Sequence, residues 1–343
     1  MAAKIFITGV TGYIAGDALY ALNQTHPDYE YSALVRTQDK ADQVKAAYPK
    51  IRIVLGGLDD SQILEDEAAK ADIVLHAADA SDHEGAAKAI AKGIAKGHSK
   101  EIPAFWLHTG GTGILTYFDS KDERFGEWDE KEFNDWSGVE ELTNLPDEAF
   151  HRNVDKIVLE TGINKADSVK TAIVCPPTIY GKGRGPISGR SRQAYELAKL
   201  VLRKGYAPII GKGKARWNNV HVHDLSDIWV GLVEAAVAKK LDAELWGAKG
   251  YYLAEHGEHV WGDLSRLIAK TAADLGYISK DWKEQPLDQK EAFEIADFQA
   301  LSWGLNSRGK AERASKLLGW KPHRPSVEEE VPNIVEEEKE RLG

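Results

Sequence analysis

Two lengths of hydrophobic pattern alternate along the first half of the chain. Short apolar runs rich in valine and isoleucine predict strands at residues 4–8, 31–35, 51–55, 72–77, 104–108 and 169–175. Apolar positions at helical spacing predict helices at residues 13–24, 39–47, 61–70, 84–96 and 146–165. Strands that are apolar throughout are typical of a parallel sheet covered on both faces. The alternation therefore predicts a doubly wound α/β fold.

This regular alternation ends after residue 175. A loop rich in glycine and arginine leads to a predicted helix at about residues 194–204, and residues 218–237 predict a strand and a helix that return to the main sheet. We expect residues 1–180, joined by 216–240, to form the main domain. Residues 181–215 and 241–343 should form a smaller, interwoven lobe over the carboxyl edge of the sheet, where folds of this kind bind ligands.

Composition narrows the class of protein. The net charge of −10 and the lack of a basic patch argue against a nucleic-acid partner. Cys175 is the only cysteine, which excludes an internal disulfide and a cysteine-based metal cluster, and we expect no metal site. No apolar run approaches membrane-spanning length, and a strand predicted from Lys4 leaves no room for a signal peptide. We expect a cytoplasmic protein, a monomer or a homodimer, that acts on a small molecule.

A glycine-containing turn follows the first predicted strand. Gly9 and Gly12 lie between this strand and the first predicted helix, and Ala15 stands where a third glycine is common. Such a turn lets the diphosphate of a dinucleotide approach the N–H groups at the start of the helix. The alternative is a purely structural turn, but the position in the first β–turn–α unit favours dinucleotide binding.

The end of the second predicted strand indicates which dinucleotide is bound. An acidic residue there would bind the ribose 2′-hydroxyl of NAD, whereas an arginine can bind the 2′-phosphate of NADP. Arg36 occupies this position, with Thr37 as a second donor, so the sequence predicts NADP(H). Asp59, after the third strand, is a candidate contact to the adenine edge, or alternatively a cap for the helix that begins at Ser61.

Five segments, in order, resemble those of the extended short-chain dehydrogenase/reductases, the family of nucleotide-sugar epimerases and dehydratases. They are TGVTGYIAG (8–16), VLHAA (74–78), CPPTIYGKG (175–183), VHVHDLSDIWVGLVEA (220–235) and KLLGWKPH (316–323). The resemblance implies a Rossmann-type domain for NAD(P) and a C-terminal substrate lobe.

The resemblance also implies roles for individual residues. Gly9, Thr11, Gly12, Tyr13 and Ile14 would contact the diphosphate, with Ala77 and Ala78 near the nicotinamide ribose. The carboxamide of the nicotinamide would lie beside the segment Pro176, Pro177, Thr178 and Ile179. Lys156 would bind the hydroxyls of the nicotinamide ribose. Thr109 or Thr112 would stand for the catalytic serine or threonine of the family.

The chain departs from the family at the catalytic tyrosine. The position four residues before Lys156 is Arg152, which cannot donate a proton at neutral pH but could stabilise an oxyanion or bind a carboxylate. His151, able to pair with Asp155, and Tyr117 are alternative proton donors.

A second departure concerns the substrate. Arg216 lies one residue out of register with the arginine that many family members use on a nucleotide-sugar diphosphate. The leading hypothesis is an atypical NADPH-dependent reductase of a carbonyl or related group on a small molecule. The alternatives are a non-redox enzyme of the same fold and a cofactor sensor, which would have a shallow or filled pocket above the nicotinamide.

Overall fold

The computed structural model describes residues 2–343. Its strands are β1 (Lys4–Thr8), β2 (Glu30–Val35), β3 (Arg52–Leu55), β4 (Ile73–His76), β5 (Ala104–Thr109), β6 (Phe133–Asn134), β7 (Val169–Cys175), β8 (Thr178–Tyr180), β9 (Ala207–Ile210), β10 (Arg216–His221), β11 (Tyr251–Leu253), β12 (Gly257–Val260), β13 (Glu284–Leu287) and β14 (Gly309–Lys310). The helices are α1 (Tyr13–Thr25), α2 (Gln38–Ala47), α3 (Ser61–Ala68), α4 (Glu84–Gly97), α5 (Tyr117–Lys121), α6 (Val139–Thr143), α7 (Arg152–Asn164), α8 (Gln193–Lys204), α9 (Val222–Val237), α10 (Trp261–Asp274), α11 (Gln289–Ala296), α12 (Gln299–Gly304), α13 (Arg313–Leu318) and α14 (Val327–Leu342).

Seven parallel strands form the main sheet in the order β11-β7-β5-β4-β1-β2-β3. Side chains alternate between its two faces: Ile7 and Leu107 pack with α1 and α9, whereas Phe6 and Trp106 pack with α4 and α7. Both faces are therefore buried, as the continuous apolar runs predict. The predicted Rossmann-type α/β fold is confirmed.

The smaller lobe differs in part from its predicted boundaries. Strand β11 falls within residues assigned to the lobe, yet it pairs with β7 at the edge of the main sheet. Strand β10 pairs with β8 and β12 in a separate three-stranded sheet, and only α9 returns to the main domain. Short strands such as β11 pair with residues far away in the sequence, so their own pattern does not identify their sheet.

Helix α7 begins later than predicted. The helical pattern suggested a start near residue 146, but the helix begins at Arg152. His151 precedes it with a φ of +68°, a left-handed conformation that cannot continue a right-handed helix. The buried side chains of α7 include Val154, Asp155, Val158 and Leu159.

A buried ion pair joins the lobe to the main domain. Asp17 of α1 is fully buried and accepts hydrogen bonds from the Arg184 guanidinium at 2.6 and 3.0 Å and from the Ser226 hydroxyl at 2.6 Å. Burial works against the charged form of Asp17, but these hydrogen bonds hold its pKa below the usual value. Gly16 faces Gly185 closely enough that a Cβ on Gly16 would lie 3.2 Å from the Gly185 Cα. The loop after β8 is thus fixed against the start of α1.

No helix within residues 2–343 is both long enough and apolar enough to cross a membrane.

Candidate active site

A continuous cleft follows the carboxyl edge of the main sheet. It consists of three adjoining cavities, which we call the Arg36 cavity (about 510 Å³), the central cavity (about 490 Å³) and the Trp217 chamber (about 290 Å³). The first two share Gly9, Gly12 and Ala77. The last two share Phe150, His151, Pro177, Gln193, Phe298 and Ser302. One extended ligand can therefore occupy the first two cavities while a second lies in the chamber.

The turn after β1 has the geometry of a diphosphate cradle. Gly9 has a φ of +89°, and a Cβ on it would lie 2.9 Å from the backbone of Ala77 and Ala78. Gly12 precedes α1 without any side-chain cap, so the N–H groups of the first turn remain open toward the cleft. These residues fit the diphosphate of a dinucleotide.

Most of the predicted cofactor-binding residues line the cleft. Those that line the Arg36 or central cavity are Gly9, Thr11, Gly12, Tyr13, Ile14, Arg36, Asp59, Ala77, Ala78, Pro177 and Ile179. Pro176 lines the Trp217 chamber instead. Three residues lie outside all three cavities. The Thr37 hydroxyl accepts a hydrogen bond from the Lys40 N–H as the cap of α2, Thr178 is fully buried in β8, and Lys156 is described below.

Two cations line the Arg36 cavity. The side chains of Arg36 and Lys40 make no hydrogen bond or ion pair with any of residues 2–343. Lys40 was missed in the sequence because it lies in α2, where a lysine is ordinary. Its position one turn into the helix that follows Arg36 was the available signal. This end of the cleft can bind an anionic group.

Asp59 also lines the Arg36 cavity. Its carboxylate lies 3.2 Å from His83 Nε2. The alternative prediction, that Asp59 caps the helix beginning at Ser61, is wrong. Asp60 is the residue that precedes α3, and its carboxylate accepts a hydrogen bond from the Gly57 N–H.

His151 lies where the central cavity meets the Trp217 chamber. Its Nδ1 is 2.7 Å from Asp82 Oδ1, in the loop after β4. Its Nε2 faces the loop after β5, because a Cβ on Gly111 or on Gly113 would lie only 3.2 Å from that atom. The glycines of this loop thus let the imidazole reach the cleft. With Nδ1 bound to the carboxylate, Nε2 is the atom available to a ligand.

Asp82 was not identified from the sequence. Partial burial disfavours its charged form, but the hydrogen bond and the charge of His151 outweigh this effect and hold the pKa of Asp82 below its usual value. The carboxylate is therefore ionised at neutral pH and orients the imidazole.

Lys156 and Arg152 do not line the cleft. The Lys156 ammonium lies 2.8 Å from Asp147 in an exposed ion pair. Arg152 is largely buried, with its Nε 4.0 Å from the Asp147 carboxylate. The predicted placement of Lys156 at the cofactor ribose, and of Arg152 at the reacting group, therefore differs from the geometry. Val154 and Asp155 lie on the buried face of α7, and Lys156 lies outside it.

Asp155 is buried beneath the cleft rather than paired with His151. Its Oδ2 accepts a hydrogen bond of 2.7 Å from the Tyr251 hydroxyl. Burial raises the pKa of Asp155 to about 6, and the hydrogen bond from Tyr251 opposes this rise. The predicted His151–Asp155 pair is replaced by His151–Asp82, since the left-handed backbone at His151 turns its side chain toward the β4 loop.

The two candidate threonines and the tyrosine have separate environments. Thr112 lines the Trp217 chamber, and its hydroxyl accepts a hydrogen bond from Trp217 Nε1 at 3.2 Å. Thr109 is buried and lies outside the three cavities. Tyr117 packs against Phe118 and also lies outside them. The structure brings only Thr112 of these residues to the chamber with His151.

Other lining residues come from the lobe. Arg192, just before α8, lines the central cavity, and its side chain has no hydrogen-bond or ion-pair partner within residues 2–343. Trp217 and Phe298 line the chamber. The arginine-rich loop was visible in the sequence, but nothing in it indicated which arginine reaches the cleft.

Comparison with known proteins agrees with this geometry. A family model described as NAD(P)H-binding matches residues 9–173. An oxidase of an Acremonium species, ucsJ, is 42% identical over 349 residues and aligns with 100% of this chain and 99% of its own length. An uncharacterized protein of Schizosaccharomyces pombe is 24% identical and aligns with 93% of this chain and 95% of its own length.

Solved structures share the fold over almost the entire chain. A UDP-glucose 4-epimerase of Thermotoga maritima, solved with UDP-glucose, superposes with a TM-score of 0.65 at 14% identity and covers 99% of both chains. A dTDP-glucose 4,6-dehydratase of Bacillus anthracis, solved with NAD, gives a TM-score of 0.65 at 15% identity and covers 99% of this chain and 97% of its own.

Proposed function

We propose that this chain, which belongs with the oxidase ucsJ to a family of NAD(P)H-binding proteins and shares the fold of nucleotide-sugar epimerases and dehydratases, reduces a carbonyl or related group of a small molecule with NADPH. The match to the NAD(P)H-binding family model and the 42% identity to the oxidase ucsJ support an oxidoreductase that uses a nicotinamide cofactor. One observation carries the finer proposal: the Asp82-bound imidazole of His151 lies at the junction of the cofactor cavities and the chamber.

The chemistry divides between cofactor and protein. Bound NADPH would supply two electrons and a hydrogen to the carbonyl carbon, leaving NADP⁺ as the carbonyl π bond is converted to a C–H bond and an alkoxide. The protein must then deliver a proton to the oxygen. Histidine is suited to this role because its protonation changes near neutral pH.

His151 is positioned for that proton transfer. Asp82 holds Nδ1, so the proton to be delivered resides on Nε2 at the entrance to the chamber. The negative charge of Asp82 stabilises the imidazolium before the transfer. Among the residues that line the chamber within 2–343 there is no tyrosine. This supports a histidine in the place of the family's usual donor.

The preference for NADP(H) rests on the Arg36 cavity. Arg36 and Lys40 have no partner within the described chain, and no acidic residue follows β2 directly. Both side chains line the same cavity, so an anionic group bound there can gain charge-assisted contacts from both. The 2′-phosphate of NADP is such a group, and NAD lacks it.

We expect NADPH to bind about ten- to a hundredfold more tightly than NADH, since a charge-assisted hydrogen bond contributes about 1.5–3 kcal/mol. The double variant Arg36→Ser/Lys40→Ser should bring the two affinities together by weakening NADPH alone. Calorimetric titration of both cofactors measures this, with Lys45→Ser of α2 as the matched surface control. Equal affinities in the unaltered protein would contradict the preference.

The Asp82→Asn variant tests the role of the carboxylate. The amide keeps the shape but removes the charge that favours an imidazolium, so kcat should fall about ten- to a hundredfold. Burial opposes the charged form of Asp82, but the hydrogen bond and the charge of His151 hold its pKa below the usual value, so the variant removes a charge that is present at neutral pH. An unchanged kcat would show that Asp82 has no part in the reaction.

The open chamber also favours catalysis over cofactor sensing. A sensor without turnover would need no space beyond the nicotinamide, whereas about 290 Å³ adjoins His151 here. The volume lies near the lower end of ligand pockets, about 300–1,000 Å³.

A further inference from the structure

We propose that the substrate is an uncharged, largely apolar ring compound that enters the Trp217 chamber with its reactive oxygen toward His151, rather than a nucleotide sugar. This inference rests on the proposed function, which it deepens by naming the substrate class. It depends on the residues that line the chamber and on the contacts that already engage the Arg216 side chain.

The chamber wall is aromatic and aliphatic. Phe150, Pro177, Trp217, Phe298, Leu301 and Leu305 supply most of its surface. The Phe150 and Phe298 rings lie 5.5 Å apart at the boundary with the central cavity, and a flat ring can pack against such faces. Burial of an apolar ligand against this wall is favourable in proportion to the area removed from water.

No permanent charge faces the chamber. Among its lining residues within 2–343 there is no lysine, arginine, aspartate or glutamate, and His151 is its one titratable group. Arg192 lines the adjoining central cavity and not the chamber, so an anion enclosed within the chamber would lose its hydration without a cation in the wall, which is strongly unfavourable. Phosphate and carboxylate substrates are therefore disfavoured.

Arg216, the residue compared with the diphosphate-binding arginine of the family, is engaged away from the chamber. It is almost fully buried, its guanidinium stacks 3.5 Å from the centre of the Trp128 ring, and it lies 3.3 Å from Glu258 and Glu130. It also donates a hydrogen bond to the Asp129 carbonyl. It does not line the chamber, and a substrate that recruited it would have to break these contacts.

The polar groups of the wall are partly engaged within the protein. Thr112 accepts a hydrogen bond from Trp217, and Thr116 donates to the Gly113 carbonyl at 2.8 Å. Ser120, Ser302 and Gln193 also line the chamber, and their side chains make no hydrogen bond with any of residues 2–343. The Nε2 atom of His151 lies where the chamber meets the central cavity, so a carbonyl can meet it there while an apolar ring packs on the aromatic and aliphatic wall.

The test compares three probes on the protein saturated with NADP⁺. They are 2-acetylnaphthalene, its 6-carboxylate and UDP-glucose, titrated by calorimetry so that binding is read independently of turnover. We expect the neutral ketone to bind at least about tenfold more tightly than the carboxylate, and UDP-glucose to give no signal over the same range. Tighter binding of the carboxylate or of UDP-glucose would overturn the proposal, and so would a lack of binding by all three.

A charge placed in the chamber should invert the preference. Leu301→Lys introduces a cation in the wall and should weaken the ketone at least tenfold while it strengthens the carboxylate. Leu241→Lys, at an exposed leucine outside the cleft, is the matched control. Thermal melting of each variant establishes that it is folded. If Leu301→Lys melts as the unaltered protein does and both affinities are unchanged, the chamber is not the binding site and the proposal fails.

The two proposals fail in different ways. If the ketone binds but no carbonyl compound causes a loss of NADPH absorbance, the reductase activity is overturned and the substrate class is supported. Turnover confined to anionic carbonyl compounds would support the reductase and overturn the substrate class.

Discussion

Replacement of His151 by asparagine should lower kcat by about 10²–10⁴-fold and leave NADPH binding almost unchanged. General acid catalysis contributes on this scale, and an amide cannot donate a proton in place of an imidazolium. Asparagine is the suitable variant because it tolerates the left-handed backbone at this position and can still donate to Asp82. The loss should therefore reflect chemistry rather than folding.

Steady-state kinetics and calorimetry together measure this result. The comparison variant is Lys156→Ala, which removes an exposed ion pair with Asp147 and should change kcat and NADPH affinity little. The opposite outcome, an inactive Lys156→Ala and an active His151→Asn, would show that the Arg152–Lys156 face turns toward the cofactor in the working enzyme. The resemblance, which places Lys156 at the cofactor ribose, would then be correct, and α7 would have to move when the cofactor binds.

Substitution of Gly12 by valine should weaken NADPH binding by at least about a hundredfold while the protein remains folded. Gly12 lines both cofactor cavities, so a branched side chain there occupies the path of the diphosphate to the start of α1. The backbone at Gly12 is extended, a conformation that valine adopts readily. A Cβ at this position meets only the Gly9 carbonyl oxygen, at 3.1 Å.

Titration of NADPH fluorescence measures the effect, and thermal melting measures the fold. Gly205→Asn is a matched control, because Gly205 ends α8 with nothing within 4 Å of an added Cβ and asparagine accepts its φ of +74°. Normal NADPH affinity in Gly12→Val would exclude this turn as the diphosphate site.

The main sheet could be predicted because its signals are local. Each apolar strand and each amphipathic helix carries its own pattern, and a glycine such as Gly9 marks a turn that only a positive φ allows. The small lobe could not be predicted in the same way. The pairing of Tyr251 with Ile173 joins distant parts of the chain, and a three-residue strand contains too few positions to indicate its partner.

The glycine turn, Arg36 and His151 line the cleft as the sequence indicated, whereas Lys156 and Arg152 do not. The family register directed attention to Lys156, although Val154, Val158 and Leu159 already defined the apolar face of α7. That face includes Asp155 and leaves Lys156 outside. The left-handed conformation of His151 had no signal in the sequence, and without it the pairing with Asp82 could not be foreseen.

The late arrival of β11 has a consequence for the nascent chain. Six strands of the main sheet have left the ribosome once Cys175 has emerged, but the edge beside β7 stays unpaired until Tyr251–Leu253 follow. At about 5–20 residues per second, that interval lasts roughly 4–15 s. During this time β7, an apolar strand, exposes open backbone groups that can pair with other chains. We expect chaperones that bind extended apolar segments to associate with ribosome-bound intermediates of this length, and to be released once residue 253 has emerged.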